Sequence, residues 1–115
     1  MKESERLNKT FIHPFNDEKV IEGQATIGLE VLNQLENPID YVFVPVGGGG
    51  LLAGTALSAH FFGNNCKTIG AEPFEVDDAY RSLISGKIET NSSINTIADG
   101  LKTQLGNYNF PIIQN

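Results

Sequence analysis

A chain of 115 residues bounds the answer to one domain with an adequate core, and its apolar content of 40% is ordinary for a folded protein. The formal net charge is −6 and the 8 Lys and Arg residues are scattered, which argues against nucleic acid or an anionic membrane surface as a partner. No apolar run approaches the ~20 residues that cross a bilayer, so no membrane partner is expected.

Met1 to Lys9 is charged and polar, without the apolar centre of a signal peptide. The single cysteine, Cys66, has no neighbour with which to form a disulfide or a metal knuckle and reads as a packing residue. Both observations point to a cytoplasmic protein. Thr10-Phe11-Ile12 is expected as a short strand, followed by a turn from His13 to Asp17. A helix should begin near Glu18 and reach about Leu35, with Ile27, Val31, Leu32 and Leu35 as its apolar stripe and Asn37-Pro38 as its stop.

Tyr41 to Val46 is a continuous apolar strand, Leu51 to Phe62 a nearly all-apolar helix, Gly63-Asn64-Asn65 a turn, and Lys67 to Ala71 a second strand. Both strands look buried on two faces, and helices long enough to cross over separate the strands. That pattern indicates an α/β fold, a parallel sheet with flanking helices. Beyond Glu72, Asp77 or Asp78 can cap a short helix through Ser85, with Gly86 as its C-terminal stop. Lys87 to Asn95 reads as a loop, and Thr96 to Leu101 combines apolar residues with a tight turn. The apolar Pro111-Ile112-Ile113 is followed by only two residues, which suggests a further element beyond Asn115.

Between the first long strand and its helix stand Gly47, Gly48, Gly49 and Gly50. Glycines without Cβ atoms can turn sharply and bring several backbone N–H groups to one anion, and the following helix adds the positive end of its dipole. A flexible linker would have polar flanks, whereas both flanks here are packing segments. Ligands in parallel sheets sit beyond the carboxyl ends of the strands, where this run and Glu72 both fall. Gly48-x-Gly50-x-x-Ala53 also fits a dinucleotide fingerprint, with Glu72 as a ribose-binding acid, but that motif normally follows a domain's first strand. No Gly-Lys-Ser/Thr loop or Gly-x-Ser-x-Gly elbow occurs, and His13 and His60 lack nucleophile or zinc partners.

Five segments together carry a family resemblance: His13-Pro14-Phe15-Asn16-Asp17, Ile21 to Thr26, Pro45 to Gly54, Gly70-Ala71-Glu72-Pro73 with Asp77-Asp78, and Thr96 to Leu101. In this order and spacing they resemble the serine/threonine dehydratases, fold-type II pyridoxal-phosphate enzymes that include serine racemase and threonine ammonia-lyase. The resemblance implies that Gly47, Gly48, Gly49, Gly50 and Leu51 bind the phosphate of pyridoxal phosphate, and that Gly100 lies near the cofactor ring. Asn16 is a weaker candidate. It also implies a divalent cation, Mg²⁺ or else Ca²⁺ or Mn²⁺, held by Glu72, the Val76 carbonyl and Asp78; the plainer reading makes Glu72 a strand end and Asp78 a helix cap.

The family's Ser-x-Lys-x-Arg-Gly segment with its Schiff-base lysine does not occur here, and Lys2, Lys9, Lys19, Lys67, Lys87 and Lys102 stand in other contexts. Residues 1–115 are therefore expected as one partial large domain, lacking that lysine, the small domain and the C-terminal part. The intact enzyme would eliminate water from L-serine or L-threonine to give a keto acid and ammonia, or racemise serine, as a homo-oligomer. This chain alone is expected to be inactive, and a non-catalytic remnant or complementing subunit is the remaining alternative.

Overall fold

The computed structural model describes residues 2–115, apart from the Lys2 side chain, so the readings of Met1 and of that side chain lie outside the described residues. Eight elements follow one another: α1 (Lys2–Arg6), α2 (Glu18–Gln34), β1 (Tyr41–Pro45), α3 (Gly50–Phe62), β2 (Lys67–Ala71), α4 (Asp78–Ser85), a 3₁₀ turn (Asp99–Leu101) and α5 (Asn109–Gln114). The periodic segments came out within a residue or two of expectation. Two short helices did not: α1 and α5 are too short for a periodicity to register.

The start of α2 is set by Asp17, whose carboxylate accepts the backbone N–H groups of Lys19 at 2.9 Å and Val20 at 3.3 Å. Its end comes at Leu35, which is extended ahead of Pro38. Helix α2 lies against α3 through small residues. A methyl group at Gly54 would stand 2.5 Å from the Ala25 nitrogen, so the two backbones approach more closely than any side chain allows. The Ser58 hydroxyl fixes the crossing by donating to the Ala25 carbonyl at 2.5 Å.

Strands β1 and β2 pair in parallel, from Tyr41 opposite Lys67 to Pro45 opposite Ala71, with α3 as the crossover between them. Parallel pairing puts both carboxyl ends on one edge. The core sits there: Val44, Val46, Leu52, Ala79 and Leu105 are buried, with Val42, Leu51, Phe110 and Ile113 packed around them.

Three expectations are corrected. Thr10-Phe11-Ile12 is not a strand; Ile12 is 68% exposed, and among the described residues no strand lies beside it to complete the ladder that β propensity needs. The strands are not buried on both faces, since Tyr41 and Phe43 of β1 are 55% and 69% exposed. The stripe on α2 is likewise only partly covered: Ile27, Val31 and Leu35 are exposed, and the buried residues are Ile21 and Gly28. The apolar periodicity marks these surfaces as apolar, but among the described residues no element covers them. Ile27, Val31, Leu32, Val42 and Phe43 line an open apolar groove between α2 and β1.

Candidate functional site

Beyond the carboxyl end of β1 the chain turns through Gly47–Gly49 into α3, with Gly49 as N-cap in the left-handed region at φ 90°. The first amides of a helix have no acceptor within it. Val46 N–H is the last to pair with the sheet, donating to Ala71 O, and Ala53 N–H the first to pair within the helix, donating to Gly49 O. Among the described residues no acceptor meets the N–H groups of Gly47, Gly48, Gly49, Gly50 or Leu51. Five neighbouring donors thus stand free at the positive end of a 13-residue helix, an arrangement that could accept an anion.

Neighbours on three sides hold this run in place. A Cβ at Gly48 would fall inside the Phe15 ring, and one at Gly49 would lie 2.6 Å from Leu105 Cδ1. A Cβ at Gly47 would stand 2.6 Å from the Gly100 carbonyl oxygen, so the turn around Gly100 packs against the glycine run. Phe15 is presented by a turn in which His13 Nδ1 accepts the N–H of Asn16 at 2.9 Å. That is a structural task for His13, while His60 lies exposed on α3.

Asn16 faces α5 and the turn before it: its Oδ1 accepts Tyr108 N–H at 2.9 Å and its Nδ2 donates to Asn107 Oδ1 at 2.5 Å. Sequence reasoning missed Asn109. This fully buried residue donates from Nδ2 to the Gly48 carbonyl at 2.6 Å and to the Phe15 carbonyl at 3.0 Å. No local pattern marks it, since it follows Asn107-Tyr108 and stands before, not within, the apolar run Phe110 to Ile113.

Glu72, at the end of β2, caps α4. Its two carboxylate oxygens accept the N–H groups of Ala79 at 3.1 Å and Tyr80 at 3.0 Å. This corrects the expected cap. Asp77 occupies the N-cap position without a capping bond and pairs with Arg81 Nε at 2.7 Å, while Asp78 turns inward, 1% exposed. Asp78 Oδ1 accepts Asn91 Nδ2 at 2.8 Å and Oδ2 accepts Leu105 N–H at 2.7 Å, which ties both flanks of the Lys87–Gln104 loop to α4. Burial pushes the Glu72 carboxyl above its usual range; the two capping N–H groups oppose that shift, and the charges of Asp78 and Asp77 add to it.

Val76 is buried in the turn between Glu72 and Asp78, its N–H on the Pro73 carbonyl at 2.9 Å. Among the described residues no three His, Cys, Asp or Glu side chains gather as a metal set. The donors fit a hard cation nonetheless. Two carboxylates and a carbonyl are all oxygen, and each carboxylate has about four lone-pair sites, of which the hydrogen bonds above use two. Lys19, Lys87 and Lys102 are engaged with Glu22, Glu89 and Asp99, and Lys9 and Lys67 are exposed.

Parallel strands, a glycine run without side chains and unpaired amides opening a helix together define an α/β protein whose candidate ligand site lies beyond the carboxyl ends of its strands. Comparison with known proteins names the class further. Residues 2–115 match the model of the pyridoxal-phosphate dependent enzymes. The chain is 51% identical over 105 residues to the serine racemase of Dictyostelium discoideum, covering 90% of this chain and 32% of that protein. Among solved structures, maize serine racemase superposes with a TM-score of 0.93 at 40% identity, over 99% of this chain and 36% of that one. The processed form of threonine deaminase isoform 2 from Solanum lycopersicum superposes with a TM-score of 0.91 at 41% identity, over 98% of this chain and 31% of that one.

The chain belongs to the pyridoxal-phosphate dependent enzyme family, in its fold-type II branch. It spans about a third of the length of the curated relatives it matches. The dinucleotide reading falls away, since the family match covers the whole described chain. Among the described residues no helix is long and apolar enough to cross a membrane.

Proposed function

We propose that this chain is the phosphate-anchoring part of the large domain of an enzyme acting on small hydroxy-amino acids, by β-elimination from L-serine or L-threonine or by serine racemisation. The observation that carries the reading is the set of unpaired amides from Gly47 to Leu51 at the start of α3. These N–H groups and the helix dipole bind the phosphate dianion, while Phe15 and Leu105 fill the space beneath the loop and keep water out. Gly100, packed on Gly47, borders the same site on the ring side. Pyridoxal phosphate, when bound, supplies an electron sink for the bond broken at the substrate's α-carbon. Glu72, the Val76 carbonyl and Asp78 would hold Mg²⁺, which relieves the mutual repulsion of the two carboxylates and stiffens the turn into α4.

A thermal-shift series tests the reading. Pyridoxal phosphate at a hundredfold excess over its dissociation constant should add about 2.7 kcal/mol to stability, and NAD should add nothing. A rise with NAD alone would overturn the proposal. Without the family's lysine segment the purified chain should form no keto acid from L-serine or L-threonine, which a hydrazone assay reads directly.

The open apolar groove between α2 and β1 favours a companion reading, in which this piece works only when joined to the remainder of such a domain. Light scattering on the lone chain should then show association.

A further inference from the structure

Resting on the phosphate reading above, we propose that Asn109 is a positioning residue that aims the Gly49 amide at the phosphate. The Gly48 carbonyl oxygen accepts two bonds, from Asn109 Nδ2 at 2.6 Å and from Gly106 N–H at 2.9 Å, and so points toward the start of α5. The peptide joining Gly48 to Gly49 is trans and planar, as no cis bond occurs among the described residues. Its N–H therefore points opposite to its C=O. Fixing the Gly48 oxygen against α5 turns the Gly49 N–H away from α5, and that N–H is one of the unpaired donors of the loop.

Two further features show that the side chain secures orientation and does not merely fill space. Asn109 is fully buried, yet its Oδ1 has no hydrogen-bond partner, a cost that an apolar side chain of the same size would avoid. Its second amide proton goes to the Phe15 carbonyl at 3.0 Å, so one amide group clamps the glycine run to the residue packed beneath it. Because Gly49 sits at φ 90°, a conformation with no side chain to restrain it, the direction of this peptide has to be imposed from outside.

The test is a titration of the ¹⁵N-labelled chain with inorganic phosphate, repeated with pyridoxal phosphate and with unphosphorylated pyridoxal. In the wild type the amides of Gly47 to Leu51 should shift with phosphate, with Gly49 among the largest. Asn109→Leu should lose the Gly49 shift and weaken phosphate roughly tenfold while the affinity for pyridoxal is unchanged. Ser58→Ala, which removes the buried bond between α2 and α3 remote from the loop, should lower the melting temperature and keep the Gly49 shift. If Asn109→Leu does not fold, Asn109→Ser, which retains one donor, and the wild-type through-bond coupling between Asn109 Nδ2 and the Gly48 carbonyl carbon read the same point. That coupling should persist in the phosphate-loaded protein. A folded variant with an unchanged Gly49 shift and affinity, or loss of the coupling on phosphate binding, overturns the role of Asn109. No glycine-amide response in the wild type would instead overturn the phosphate reading itself.

Discussion

Asp78 and Leu105 stand 27 positions apart, yet a carboxylate oxygen of the first accepts the backbone N–H of the second at 2.7 Å. Both residues are buried, and Leu105 packs directly beneath Gly49, so this bond joins the start of α4 to the floor of the glycine run. The other oxygen of Asp78 holds Asn91. One buried carboxylate therefore sets the position of the loop between α4 and α5 and, through Leu105, supports the glycine run.

Replacing Asp78 with alanine should remove both anchors and leave the Leu105 N–H buried without an acceptor. Hydrogen bonds to a charged group contribute about 1.5–3 kcal/mol each, and the orphaned donor adds its desolvation penalty, so a loss of about 3 kcal/mol is expected in urea unfolding. A loss under about 0.5 kcal/mol would mean that the loop is held by other contacts.

Gly49→Ala and Gly100→Ala form a contrasting pair. The first puts a Cβ on a residue at φ 90° and 2.6 Å from Leu105 Cδ1, which should cost at least the ~1–2 kcal/mol of the left-handed conformation and remove the stabilisation by pyridoxal phosphate. At Gly100 an added Cβ meets nothing within 4 Å, so stability should stay within about 0.5 kcal/mol. A drop in pyridoxal phosphate affinity at constant stability in Gly100→Ala would support its place beside the ring; unchanged affinity would remove Gly100 from the site.

The raised Glu72 carboxyl sets the sign of a pH effect. Burial favours its neutral form, so the folded chain holds this proton more tightly than the unfolded chain. Its contribution is fully present below the usual carboxylate pKa and is lost as pH rises from there through the raised value. Melting temperatures of Glu72→Gln should be flatter than wild type across that window. Added Mg²⁺ should restore wild-type stability above it and leave Glu72→Gln unmoved, because a cation favours the ionised form.

Close approach of α2 and α3 predicts a packing defect in Gly54→Ala. The new methyl would stand 2.5 Å from the Ala25 nitrogen and 2.8 Å from the Ile21 carbonyl oxygen, both backbone atoms that a rotamer change cannot move. Overpacking of this kind costs about 1–3 kcal/mol, read as a fall in melting temperature. A melting temperature equal to wild type would show that the helices separate without penalty.

Legibility followed the range of the interaction. Helix α2, strand β1, helix α3 and strand β2 could be read because their signals are local: a 3.6-residue stripe, two apolar runs and glycine or proline punctuation. Asp77 was legible as the N-cap position of α4, but the side chain that accepts its first amides, Glu72, was not, because it lies 7 and 8 positions before them. Asn16 was noticed through the motif around it, whereas Asn109, whose partners are 61 and 94 positions away, left no local trace.

What the sequence by itself determined is the strand–glycine–helix unit and the parallel α/β class, because backbone freedom and dipole direction at a helix start depend on residues adjacent in the chain. Only the tertiary structure decided how that loop is held: Phe15 and Leu105 beneath it, Gly100 beside it, Asn109 fixing a peptide plane, and Asp78 anchoring the loop that carries Leu105. A peptide group's orientation is set by whatever accepts and donates at its two ends, and here those partners come from segments that only folding brings together.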